Sequence, residues 1–140
     1  MKLLSIAGFF AVTVLIASCA TRQVVIPEDL SAAEMIQRAQ EASDRNRYNI
    51  SLQYYETILE RFSDSTEYVL AAEYEIAFIH YKQKRYEKSK DKFNILLERY
   101  NNPDAALLPP QYEILATIVL GRIEEIENRR RRFLRTAEEV

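Results

Sequence analysis

The feature that most constrains this chain is its overlap with itself at a shift of 38 residues. Arg47 falls on Arg85, Tyr48 on Tyr86, Ser51 on Ser89 and Tyr55 on Phe93. The block Ile58-Leu59-Glu60-Arg61-Phe62 falls on Leu96-Leu97-Glu98-Arg99-Tyr100, and upstream Ala39 falls on Ala77. Tyr74-Glu75-Ile76 continues onto Tyr112-Glu113-Ile114, so a third unit begins and is cut short. A fixed period of this size marks an architecture of stacked units, each of which buries its apolar face only against its neighbours.

The units read as pairs of helices. Glycine is confined to Gly8 and Gly121 and tryptophan is absent, while nine tyrosines are spread through segments rich in Ala, Leu, Glu, Lys and Arg. That composition is all-helical. Ser31-Ala32-Ala33-Glu34 has the S-x-x-E form of a capping box, which starts a first helix reaching to about Asn46. A second runs from about Tyr48 to Phe62, with Ile50, Tyr54, Ile58 and Phe62 at helical spacing. Ser63-Asp64-Ser65-Thr66 then supplies a turn with N-cap candidates. The third covers about Glu67 to Gln83 and the fourth about Tyr86 to Tyr100, stopped by Asn101-Asn102-Pro103-Asp104. Pro109-Pro110 opens a fifth that reaches Leu134 or beyond, with Pro110 suited to its first turn.

Tyr86-Glu87-Lys88-Ser89, Phe93 and Leu96, with Ile76-Ala77 upstream, resemble the tetratricopeptide (TPR) pattern over about residues 31 to 126. The resemblance implies an all-α helical-repeat superhelix of about five helices. In it small residues (Ala39 and Ala77, Ser51 and Ser89) let the two helices of a pair cross closely. The departures are Ser where Ala is usual, no Trp, no Pro at the unit's end, and a period of 38 against the family's 34. The longer unit resembles the repeats of BamD-type outer-membrane-assembly lipoproteins. In such folds the first helix of each unit lines the concave face. Carried over, the partner-binding groove comprises Ile36, Gln40 and Ser43 in the first unit, Tyr74, Phe78, Tyr81 and Lys82 in the second, and Tyr112, Ala116 and Val119 in the third. The alternative is that Tyr74 and Phe78 pack as core beneath the fifth helix.

The first residues carry a different message. Lys2 precedes an apolar run from Leu3 to Ala17, the layout of a secretory signal. The run is shorter than the ~20 apolar residues that span a bilayer, which makes a permanent transmembrane helix the weaker reading. Ile16-Ala17-Ser18-Cys19 resembles the lipobox of bacterial lipoproteins. That implies a signal peptide over residues 1–18, acylation of Cys19, a spacer over 19–30 containing Pro27, and a repeat domain over 31–140. A plain secreted protein is the alternative. By the same resemblance Ala20, in place of Asp, favours the outer membrane. Cys19 is the one cysteine, so an intrachain disulfide is excluded and the domain is held by packing.

Little here is equipped for chemistry. His80 is the only histidine. There is no second histidine, no further cysteine and no glycine-rich loop, so a metal site, a catalytic triad or a nucleotide site lacks its parts. His80 is expected to be a structural or surface residue, and no enzyme activity and no cofactor are expected. The formal charge of −2 gives no reason to expect nucleic acid. Glu125 and Glu127 stand four residues before Arg129 and Arg131, an ordinary surface-pair spacing. The run Arg129-Arg130-Arg131-Arg132 reads as a solvated helix end or as a contact for anionic lipid or an acidic partner. The apolar stripe Leu115, Ile118, Val119, Ile123 and Ile126 is either buried by the stack or left open, and an open stripe would favour an obligate complex or a homodimer.

The expectation is therefore a lipid-anchored, non-catalytic scaffold that binds another envelope protein, with outer-membrane protein assembly as the role the resemblance suggests. The alternative is a small-ligand or lipid-binding accessory of an envelope transport system, which requires an enclosed apolar cavity.

Overall fold

A computed structural model describes residues 23–138. The signal peptide and Cys19 lie outside the described residues. Five α-helices follow one another: α1 Ala32–Asp44, α2 Tyr48–Arg61, α3 Thr66–Lys82, α4 Tyr86–Glu98 and α5 Pro110–Glu138. Two short 3-10 turns, Arg99–Asn101 and Pro103–Leu107, lie between α4 and α5. Consecutive helices pack on one another, α1, α3 and α5 forming one layer and α2 and α4 the other. The fold is all-α and repetitive.

The repeat is visible in backbone detail. α1 starts with the expected capping box: Ser31 Oγ accepts from Glu34 N–H at 3.3 Å, and Glu34 accepts in return from Ser31 N–H at 3.1 Å. α1 ends in a reversal in which Asn46 takes φ 56° and Arg47 N–H donates to Ala42 C=O at 2.8 Å. The same reversal recurs 38 residues on, with Lys84 at φ 60° and Arg85 N–H donating to His80 C=O at 2.9 Å. Neither turn uses glycine. Asn46 enters the left-handed region readily, whereas Lys84 does so at a cost of about 1–2 kcal/mol, offset by the two carbonyls the turn satisfies.

The small residues sit where the helices of each pair cross. Ala39, Ser51, Ala77 and Ser89 are all fully buried, and Ser89 Oγ donates to Ala77 C=O across α4 and α3 at 2.9 Å. One apolar cluster joins α1, α2 and α3 through Met35, Tyr55, Ile58, Ala72, Ile76 and Ile79. A second joins α3, α4 and α5 through Tyr74, Phe93, Leu96, Ala116, Val119 and Ile123. α3 is buried on both flanks and is the shared wall between the two.

α5 departs from the strict period. Its inward side, Tyr112 half-buried with Ala116 and Val119 buried, repeats the four-then-three spacing of Ala72, Ile76 and Ile79, the residues α3 turns toward α2. That is a displacement of 40 rather than 38, the loop having gained two residues. Tyr100 Oη fastens the loop by donating to Pro109 C=O at 2.7 Å. α5 also does not turn back where α1 and α3 do. It continues for 29 residues, and everything from Asn128 to Ala137 is exposed.

Two further local expectations give way to tertiary contacts. Glu127 pairs with Lys90 of α4 at 2.9 Å rather than with Arg131, which donates instead to Asn128 at 2.7 Å. The segment read as a spacer is docked from Val24 onward: Val24 N–H donates to Gln53 Oε1 at 2.8 Å, and Arg61 donates to the carbonyls of Pro27 and Ile26 at 2.7 and 3.2 Å. Val24 and Ile26 pack against the first cluster and Leu30 is buried within it.

Candidate functional site

The groove expected from the sequence lies on the α1–α3–α5 layer, and its residues divide by depth. Tyr74 is taken into the core at 8% exposure, its ring 5.6 Å from Phe93 and 5.9 Å from Tyr112. Ala116 and Val119 are buried with it. They support the face from beneath and do not line it, because α5 lies across exactly this side of α3. Ile36 is half-buried against the first cluster, and Gln40 is exposed on α1. Phe78, Tyr81, Lys82 and Tyr112 are half-buried and form the accessible part.

These side chains hold one another in place. Phe78 stacks between Tyr74 (5.8 Å, 15° between planes) and Tyr81 (5.6 Å, 17°), and Tyr81 meets Tyr86 at 6.0 Å. The spacings of four and three on α3 produce this, since such residues share one side of a helix. Lys82 crosses to the neighbouring unit: its Nζ donates to Ser43 Oγ at 2.8 Å and stands 5.2 Å from the Phe78 ring centre. A cation over an aromatic face contributes about 0.5–1 kcal/mol at exposed sites. The result is a rigid aromatic strip edged by a fixed ammonium group.

Beneath this edge lie polar groups that the sequence reading passed over. Burial holds the Glu75 carboxyl above the usual carboxylate range, with Lys82 opposing that shift and Asp44 adding to it. Tyr55 is fully buried, its hydroxyl has no hydrogen-bond partner among the described residues, and burial next to the charges of Glu75 and Asp44 pushes its ionisation far upward. The sequence did carry a signal for Glu75: it stands between Tyr74 and Ile76 at the centre of the most apolar helix of the domain. Tyr55 looked like an ordinary repeat aromatic and gave none.

His80 is buried between α3 and α4 at 3% exposure. Burial lowers its pKa, as do the cations of Lys88, Lys92 and Arg85, and the Gln83 amide partly offsets them. A neutral imidazole packed in this way is a core residue. Among the described residues, no three His, Cys, Asp or Glu side chains gather as a metal ion would require, and no helix is long and apolar enough to cross a membrane. Arg129, Arg130, Arg131 and Arg132 lie on the exposed part of α5, remote from the aromatic strip.

Comparison with known proteins adds one relative. No family model matches the chain, and no solved structure matches it. A protein of Treponema pallidum (strain Nichols), described as an uncharacterized protein, is 34% identical over 77 residues, covering 54% of this chain and 31% of that protein. The match thus spans about a third of the relative's own length.

Proposed function

We propose that this chain is a lipoprotein anchored through Cys19 in the cell envelope, at the outer membrane, and that its helix pairs act as a tetratricopeptide-like, non-catalytic scaffold for another envelope protein. Outer-membrane protein assembly is the role suggested by the resemblance to BamD-type lipoproteins. The observation that carries the binding part of this reading is the pre-set strip Phe78–Tyr81 with Lys82 tied across to Ser43. Aromatic anchors already fixed in their bound geometry lose little entropy on association, and interface hot spots are enriched in such residues. The anchoring part rests on the sequence Ile16-Ala17-Ser18-Cys19.

The test uses the lipidated protein in its native envelope. Phe78→Ala combined with Lys82→Ala is expected to abolish a cross-linked complex while far-UV circular dichroism stays unchanged. Tyr74→Ala is unsuitable because it opens the core. Cys19→Ala is expected to move the folded domain from the membrane to the soluble fraction. A complex that survives the double substitution refutes the groove, and membrane retention of Cys19→Ala refutes the anchor.

A further inference from the structure

The unfinished side of the molecule is α5. In the register set by its buried residues, Ile114 and Ile118 stand where Tyr74 and Phe78 stand on α3. On α3 that side is covered by the next helix of its layer, which is α5 itself. On α5 it is bare: Ile114 is 57% exposed, Ile118 47% and the adjacent Leu115 40%. The expected stripe of the fifth helix has therefore split in two. Val119 and Ile123 are spent on the fold, Ile126 is half-buried, and Leu115 and Ile118 face outward with Ile114.

Two more features lie on the same side. Gly121, in the middle of a long helix, has open space where a side chain would stand, with no atom within 4 Å of a Cβ placed there. Glycine costs a helix interior about 1 kcal/mol relative to alanine. Nothing inside this fold needs its smallness, but the backbone of an approaching helix would use it. Further along, steps of four, four, three, four and three from Ile114 lead through Ile118, Arg122 and Glu125 to Arg129 and Arg132. Those spacings keep all six on one helical line. The line opens apolar with Ile114 and Ile118 and closes cationic with Arg129 and Arg132, with Arg122 and Glu125 between them, and no acidic residue occurs from 128 to 137.

A second copy of this chain does not complement that line. Parallel pairing sets Arg129 and Arg132 against themselves. Antiparallel pairing centred between Gly121 and Arg122 sets Ile118 against Glu125, and Ile114 against Arg129. Stacking on the outer side of α1 offers mainly polar residues, Gln37, Arg38 and Glu41 beside the small Ala33. We propose that this edge of α5 receives a helix from a different protein. That helix is apolar where it passes Ile114 and Ile118, close-packed at Gly121, and acidic where it passes Arg129 and Arg132. The proposal extends the scaffold reading to a second surface, separate from the Phe78–Lys82 strip.

The probes are three synthetic helical peptides of equal length: an apolar face followed by a glutamate block, the same face followed by a lysine block, and a serine face with the glutamate block. Fluorescence anisotropy with the mature chain is expected to show binding of the first at least tenfold tighter than either control, about 1.4 kcal/mol or more. Ile118→Asp should remove that binding. Arg129→Glu combined with Arg132→Glu should transfer the preference to the lysine-block peptide. All three positions are exposed, so circular dichroism is unchanged throughout. Equal binding of all three peptides, no binding, or binding indifferent to Ile118→Asp overturns the proposal. So does self-association that Ile118→Asp dissolves, or binding of the same stripe to phosphatidylglycerol vesicles. Phe78→Ala with Lys82→Ala leaves peptide binding intact, so failure of the groove and failure of this edge are read separately.

Discussion

The two helix pairs are built on one plan and finished differently. α1 and α2 share with α3 and α4 the reversal at Asn46 and Lys84 and the fully buried crossings Ala39–Ser51 and Ala77–Ser89. In the second pair the hydroxyl of Ser89 is bonded to Ala77 C=O, and the aromatic at the Tyr55 position is Phe93, which has no polar atom to satisfy. In the first pair neither Ser51 Oγ nor Tyr55 Oη has a partner among the described residues. All four crossing residues are nevertheless fully buried. The size of the crossing residue therefore sets the approach of the helices, and the hydrogen bond is an addition to it. The outer seals differ as well: the first pair is closed by the docked segment Val24–Leu30, the second by α5 and the Lys90–Glu127 pair.

That contrast can be tested by moving one pair's solution into the other. Tyr55→Phe gives the first pair the aromatic of the second and removes a buried, unbonded hydroxyl, a group that costs about 1–3 kcal/mol. Urea denaturation should show a gain of that order. A loss would mean that the hydroxyl has a partner and that the pairs are more alike than they look. Next in size, Ser89→Ala should cost about 1 kcal/mol, while Ser51→Ala costs nothing or stabilises; equal losses would erase the distinction between the crossings. The smallest effect concerns His80, which replaces Ala42 of the first pair. Its pKa is lower folded than unfolded, so the unfolded chain binds the extra proton first. Stability is fully present above the unfolded value of about 6.5 and falls as pH drops below it. Thermal melts between pH 7.5 and 5 should show that decline, and His80→Ala should flatten it.

Much of this was legible in the sequence because it is local or periodic. The capping box at Ser31 and the helix starts at Tyr48, Tyr86 and Pro110 follow from local signals, and the small crossing residues were implied by the tetratricopeptide resemblance. What escaped notice depends on which helices meet. The two-residue slip of α5 shows only in which of its residues are buried, and a self-alignment that matched Tyr74 with Tyr112 pointed to the wrong register. The Glu127–Lys90 pair joins α5 to α4, so a rule about neighbours on one helix could not find it. On the strip, the aromatics of α3 were identifiable from their four-and-three spacing. Their division into a buried Tyr74 and an accessible Phe78 depended on how α5 lies across them.

The docked segment ahead of α1 also has a mechanical meaning. It runs alongside α2 in the same direction, held at Val24 by Gln53 and at Ile26 and Pro27 by Arg61, with Leu30 wedged in the core. A force on the upstream chain loads these contacts together in shear, instead of peeling them one at a time, and is delivered to α2 before it reaches Ser31. With Cys19 as the proposed anchor, the five residues from there to Val24 give a leash of at most about 18 Å at full extension. Such an anchor would hold the domain close, and by its flank, so that the long axis of α2 would set how the stack leans from the membrane.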